Sequence, residues 1–252
     1  MPFDLEFVRQ NWPQPVVYFD SIDSTMLEAA RLAEAGGPHG AAVVADEQTE
    51  GQGRHGHSWY SERNSGLYVS IVLRPWISGP ALPLLTLALG LATADAIAET
   101  ARVNCDLRWP NDVMLEGKKA AGILVQLLEA SVIAGVGVNV NQAAFPPEIA
   151  REATSLRIIS NRVHSREHLL LSLLAAVDRY SGILAADGGG EAILNMFSSR
   201  SSYALNKRVR VAQGSAVLEG VTAGLDASGF LKVRRDDGSE EMVLAGGVRP
   251  VD

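Results

Sequence analysis

The chain has 252 residues, 47% hydrophobic and 20% charged, a make-up that excludes a disordered polymer and leaves enough length to bury a core without staples. Twenty-two basic against twenty-nine acidic residues give a net charge of −7, which argues against a protein that grips nucleic acid through a basic footprint. The single cysteine, Cys105, excludes an intramolecular disulfide and an all-cysteine zinc cluster.

Met1 to Asp20 carries Asp4, Glu6 and scattered prolines and does not read as a signal peptide, so a soluble cytoplasmic protein is expected. Val16-Val17-Tyr18-Phe19 is a β-type run. Thr25 with Glu28 fits a capping box that opens a helix through about Ala35, and Gly36-Gly37-Pro38 stops it. Ala41 to Ala45 and Leu67 to Leu73 are strand candidates, separated by a polar, glycine-bearing loop, Glu47 to Gly66. Leu82 to Ala101 reads as a long apolar helix. Its quietest stretch, Leu84 to Ala94, is interrupted by Thr86 and Gly90 and closed by Asp95, too short to span a bilayer and suited to a buried helix. Leu107 to Leu127 reads as two strands around Glu116-Gly117, and Val132 to Val140 as another.

A polar, proline-containing stretch, Asn141 to Arg162, follows. Leu169, Leu170, Leu173, Leu174, Val177 and Leu184 recur at helical spacing and predict an amphipathic helix over residues 166–184, with a second over 190–200. After Ser201 the texture changes to short strands: Val209 to Val211, Val217 to Val221, Phe230 to Val233 and Met242 to Leu244, separated by Gly214, Gly229 and Asp237-Gly238. That rhythm predicts a small five-stranded barrel. The chain is therefore read as α+β over residues 1–201 and all-β over 202–252.

Three segments carry chemistry. In Glu50-Gly51-Gln52-Gly53-Arg54-His55-Gly56-His57-Ser58-Trp59, the glycines let backbone N–H groups approach an anion. Arg54 adds a guanidinium fork and Trp59 a flat apolar face. The loop matches neither a Walker loop nor a dinucleotide fingerprint, and an ordinary flexible loop is the plain alternative. In Leu107-Arg108-Trp109-Pro110-Asn111-Asp112, the proline ends a strand and sets two polar side chains at a turn, where they could hold a ligand or a magnesium ion; a simple turn accounts for the same residues. In Lys118-Lys119-Ala120-Ala121-Gly122-Ile123-Leu124, strand alternation puts Lys119 on one face with Ala121 and Ile123. A cation entering an apolar face needs an anion, unless Lys119 is a solvated hairpin residue.

Taken together the three segments resemble the biotin–protein ligase family. They are similar to its Gly-Arg-Gly-Arg-X-Gly-Arg-X-Trp, Lys-Trp-Pro-Asn-Asp and Lys-X-X-Gly-Ile-Leu motifs, in the same order, with Asp23-Ser24-Thr25 upstream and Gly135-Val136-Gly137-Val138-Asn139 downstream. The likeness covers nearly the whole chain. It implies a mixed sheet flanked by helices, related to class II synthetase cores, followed by an SH3-like barrel. It implies activation of biotin by ATP to biotinyl-5′-AMP, then transfer to a lysine of a biotin carboxyl carrier protein, the acetyl-CoA carboxylase subunit. By the same resemblance Ser24, Thr25, Met26, Gln48, Gln52, Gly53, Arg54 and Lys119 surround biotin, Lys119 and Arg54 being catalytic. Trp59, Arg108, Asn111, Asp112 and Asn139 face ATP and the adenylate, and Asp112 is the expected magnesium contact. ATP with Mg²⁺ is then the co-substrate, and no nucleic acid or membrane partner is implied.

Gln52, His57 and Arg108 depart from the family's pattern, which has arginine, arginine and lysine there. Gln52 and His57 thin the positive charge of the loop. Met26 replaces an asparagine, removing a polar contact near biotin. Only about fifteen residues precede the first strand, too few for the helix-turn-helix of the family's repressor members. His164-Ser165-Arg166-Glu167-His168 matches an inverted zinc-protease motif, but Ser165 is better placed to cap the helix starting at Arg166, leaving His164 outside it. A lipoate ligase of the same fold, a biotin-binding regulator without turnover, and a nucleic-acid adaptor are the rival readings. The Trp-Pro-Asn-Asp segment, the retained Lys119, Arg54 and Asp112, and the net negative charge weigh against each in turn.

Overall fold

The structure, a computed structural model, describes residues 2–74, 81–129, 131–213 and 216–251. Gly214, expected between two strands, lies outside the described residues, as do Met1 and Asp252 at the two ends. A short helix α1 (Leu5–Asn11), capped by Asp4 through Phe7 N–H, precedes β1 (Val16–Phe19). The sequence gives α1 no periodicity to read, because seven residues barely complete two turns. Then follow α2 (Thr25–Glu34), β2 (Ala42–Ala45), β3 (Leu67–Leu73) and α3 (Leu82–Ala101). The cap of α2 is Ser24, whose Oγ accepts from Met26 N–H at 3.3 Å; the expected Thr25 cap is displaced because the Thr25 hydroxyl is bonded to Gln48 and to Ser70 of β3 instead.

Where two strands were expected between residues 107 and 127 there are three: β4 (Asp106–Arg108), β5 (Asp112–Leu115) and β6 (Lys118–Leu127). Pro110 breaks the first run into a tight turn with Arg108 opposite Asp112, and Glu116-Gly117 makes the second turn. β7 (Val132–Val138) completes a seven-stranded sheet in the order β1-β2-β3-β7-β6-β5-β4, in which only β1 and β2 run parallel.

The polar stretch after β7 holds one short helix, α4 (Leu156–Ser160), before α5 (Arg166–Ala185) and α6 (Gly189–Ser199). Alternation along the strands divides the core. Ala42, Val44, Ile71 and Val136 face α3, which packs on α5 and α6; Val43, Val72 and Ile133 face α2. α3 and α5 are long and apolar enough to cross a bilayer by length and composition alone. In α3 the apolar residues run round the whole circumference because the sheet covers one side and α5 and α6 the other. Ser165 caps α5, accepting from His168 N–H at 3.1 Å, and His164 instead bonds Ser160 at 2.6 Å; burial holds its imidazole below the ordinary range.

The C-terminal strands β8 (Leu205–Gln213), β9 (Ala216–Leu225), β10 (Leu231–Arg234), β11 (Glu240–Val243) and β12 (Val248–Pro250) form an antiparallel sheet in the order β11-β10-β9-β8-β12. Its exposed arginines are matched by acids: Arg208 with Asp236, Arg210 with Glu219, Arg234 with Glu240 and Arg235 with Glu241. The two parts meet where buried Trp109 donates its indole N–H to the Gly229 carbonyl at 2.9 Å, and where Arg249 of β12 pairs with Glu152 at 2.5 Å.

Candidate functional site

The α2 face of the sheet has a trench without side chains. Gly135 and Gly137 alternate onto this face of β7, and Gly122 lies opposite Gly137 on β6. A Cβ on Gly137 would lie 2.5 Å from Trp59 Cε2, and one on Gly122 would lie 2.8 Å from Trp59 Cζ3, so both glycines are required for the indole to lie against the sheet. At the Gly135 level the trench ends in a hydroxyl and amide cluster. Thr25 Oγ1 and N–H donate to Gln48 Oε1 at 3.0 and 2.9 Å, and Thr25 Oγ1 meets Ser70 Oγ at 2.8 Å. Gln48 Nε2 in turn donates to Ser61 Oγ. This network presents both donors and acceptors beside an apolar wall of Met26 and Leu124.

The other end is cationic. The glycine loop is a tight hairpin: Gly53 N–H donates to the His57 carbonyl at 2.7 Å, Gln52 pairs with Ser58, and Arg54 begins a 3₁₀ turn through His55 in the left-handed region. Arg54 Nη1 donates to Asn111 Oδ1 at 3.1 Å, and Asn111 is fixed by donating Nδ2 to the Ile123 carbonyl. Burial lowers the Arg54 pKa against the opposing pull of Asp112. Lys119 does not share a face with Ala121 and Ile123 as strand alternation predicts: a register shift opposite Val113 and Met114 turns it onto the Gly122 side, where its Nζ lies 2.5 Å from Asp112 Oδ1 and 5.3 Å from the centre of the Trp59 ring. Arg108 holds the second Asp112 oxygen at 2.7 Å. Burial alone would raise the Asp112 pKa, but Lys119 and Arg108 outweigh it and hold the carboxyl below the usual range.

Thr25, Met26, Gln48, Gln52, Gly53, Arg54 and Lys119 thus line one cavity. Trp59, Arg108, Asn111, Asp112 and Asn139 line a second, contiguous one that shares Gly53, Arg54, Trp59, Asn111 and Lys119 with the first. Ser24 is the exception among the expected biotin contacts: it is buried, is used as the α2 cap, and does not line the cavity. The expected magnesium contact also meets a different environment. Both Asp112 oxygens are occupied by cations, and among the described residues no group of three His, Cys, Asp or Glu side chains could hold a metal. These residues do not fit a protein-held magnesium ion.

The sequence reading missed Tyr68 and Ser70, hidden in the apolar run of β3, and the Ile149, Glu152 and Ala153 wall of the second cavity. That wall is held by Lys119 N–H donating to the Glu152 carbonyl at 2.7 Å and Thr154 N–H to the Lys119 carbonyl at 3.0 Å, a pairing far apart in sequence. The glycines of β7 take their role from what lies over them, Met26 above Gly135 and Trp59 above Gly137, which their sequence pattern does not show. Trp59 Nε1 is buried and has no hydrogen-bond partner among the described residues, so the partition between the cavities keeps an unused donor.

An apolar slot with a polar end, opening past a lysine and an arginine into a second cavity, suits a ligase that activates a small carboxylic acid. Residues 18–142 match the Biotin/lipoate A/B protein ligase family, and residues 204–248 match the Biotin protein ligase C terminal domain. The chain is 34% identical over 232 residues to the Biotin--[acetyl-CoA-carboxylase] ligase of Mycobacterium tuberculosis, spanning 86% of this chain and 81% of that protein. The structure is similar to the biotin protein ligase from Aquifex aeolicus in complex with biotin and ATP, with a TM-score of 0.83, 32% identity, and coverage of 94% of this chain and 99% of that one. It is also similar to the biotin protein ligase from Leishmania major in complex with biotinyl-5-AMP, with a TM-score of 0.67, 26% identity, and coverage of 93% and 100%. The chain belongs to the biotin protein ligase family, a family of soluble enzymes.

Proposed function

We infer that this site joins biotin to AMP and passes the biotinyl group to a carrier lysine. The observation that carries the residue assignment is the partition: Lys119, Arg54 and Trp59 border both cavities, so an acid held in one and a nucleotide held in the other meet at the same cations. Biotin's ureido group takes the Thr25–Gln48–Ser70 end, and its carboxylate points to Arg54 and Lys119. A carboxylate oxygen attacks the α-phosphorus of ATP; the C–O–P bond forms as the bond to pyrophosphate breaks. The obstacle is the meeting of two anions, and fixed cations lower it without reorganising. In the second step the carrier amine attacks the biotinyl carbonyl, AMP leaves with the bonding electrons, and the amine proton passes to solvent.

Magnesium belongs here to the substrate, as the counter-ion of ATP's phosphates, while Asp112 holds Lys119 and Arg108. The acceptor is a biotin carboxyl carrier protein, the acetyl-CoA carboxylase subunit, and the working compartment is the cytoplasm. Exchange of labelled pyrophosphate into ATP, run with biotin and with lipoate, tests the assignment. Biotin-dependent exchange is expected. Exchange with lipoate alone would make the chain a lipoate ligase, and exchange with neither would leave a binder without turnover; either result overturns the reading.

A further inference from the structure

The trench has two levels set by strand register. Gly137 stands opposite Tyr68 and Gly122 at the level of Trp59; Gly135 stands opposite Ser70 and Leu124, two residues and about 6.6 Å away. The Gly135 level is also that of the polar cluster, since Ser70 bonds Thr25. Met26, next in the chain after Thr25, reaches this level from the roof. A Cβ on Gly135 would lie 2.5 Å from Met26 Sδ, and the next atom it meets outside Met26 is the Leu124 carbonyl oxygen at 3.4 Å. The Met26 thioether therefore fills the volume that the glycine leaves open. Behind it lie Ala29, Val43, Val72 and Ile133, which leave it 4% exposed.

We propose that Met26 and Gly135 together form the end wall that sets slot length and excludes ligands extended beyond an unsubstituted cyclic urea. The pair specifies substrate; neither residue touches the reacting carboxylate, which is met at the Arg54 and Lys119 end. This rests on the slot being the biotin site. The physical reason is complementarity of volume. A thioether is unbranched and adaptable, so it closes the gap over a glycine without a polar demand of its own. The wall works only while the floor beneath it has no side chain.

The test is a two-residue cycle read as the KM for biotin in pyrophosphate exchange. Gly135→Ala should push Met26 into the slot and raise the KM by about tenfold or more, the scale on which a pocket registers one methyl group. Met26→Ala in the same protein should remove the clash and bring the KM back to within a few fold of the starting value. Met26→Ala alone should admit a biotin methylated on a ureido nitrogen, cutting the discrimination against it by about tenfold. Met26→Leu, near in volume, should keep the discrimination and shows whether a variant of this position folds and turns over.

Exchange with biotin in the unaltered protein establishes the site independently of the cycle. If that exchange is present, a Gly135→Ala defect that Met26→Ala does not relieve overturns the proposal. An unchanged KM in Gly135→Ala, or unchanged discrimination in a folded Met26→Ala, does so equally. Absence of biotin-dependent exchange in the unaltered protein would instead overturn the reading of the slot.

Discussion

Lys119 is held from three sides: by Asp112 through its ammonium, by the Trp59 ring, and by backbone bonds to the segment ending at Thr154. Its side chain is 30% exposed, so removing it leaves no deep cavity, and Arg108 stays paired with Asp112. Lys119→Ala should therefore keep the fold, checked by circular dichroism, and lower biotin-dependent pyrophosphate exchange by about a hundredfold or more. Asp112 answers differently. Although its burial favours the neutral acid, Lys119 and Arg108 prevail and lower its pKa. The unfolded chain takes up the proton more readily than the folded one. The ion pair's stabilisation is complete above the ordinary carboxylate range and is lost as pH falls through the lowered native value. Asp112→Asn should cost about 3 kcal/mol or more near neutrality, because two cations lose their partner, and the gap to the parent protein should narrow in acid. Urea unfolding of both proteins at neutral and acidic pH measures this.

At the scale of elements, the glycine hairpin brings Arg54 across to Asn111 and so ties itself to the turn before β5. Arg54→Gly removes that tie and a cation at the partition. It should release biotinyl-5′-AMP about tenfold to a hundredfold faster, since a charge-assisted hydrogen bond contributes on the order of 1.5–3 kcal/mol. Labelling of a bystander protein without a carrier domain should then rise, and stopped-flow release of the adenylate gives the rate.

Much of the scaffold is legible in the sequence for specific reasons. β3 and α3 are continuous apolar runs with firm ends, and their bounds coincide with the expected Leu67 to Leu73 and Leu82 to Ala101. α1 is too short for periodicity; the turn at Pro110 is legible from the proline, but the separate strands β4 and β5 on either side of it merge in the sequence into one apolar run, because Leu107, Trp109, Val113 and Met114 are all buried. The candidate site is legible chiefly through its motif order. Composition does not reveal that Ser24 serves as a cap while Thr25 and Ser70 line the slot. The role of Gly135 and Gly137 depends on what lies above them, Met26 and Trp59, which no local pattern records. The pairing of Lys119 with Glu152 and Thr154 likewise closes over more than thirty residues, a span beyond any local signal.

For the whole molecule, the indole of Trp109 is the polar tie between the turn of the ligase motif and the C-terminal sheet. Trp109→Phe keeps an aromatic ring but leaves the Gly229 carbonyl without its buried donor. The expected cost is about 1–3 kcal/mol, seen as a lower Tm and as faster amide exchange in β9 and β10. The chain's net charge of −7 is distributed unevenly around that tie. On the C-terminal sheet four arginines each stand against an acid, so their charges combine into short dipoles. The field of such a dipole fades faster with distance than that of a lone charge, and physiological salt screens it over about 8 Å. An arriving macromolecule is thus neither drawn in nor turned away at long range by this face. Its approach there is an unsteered diffusional search, decided only when surfaces touch.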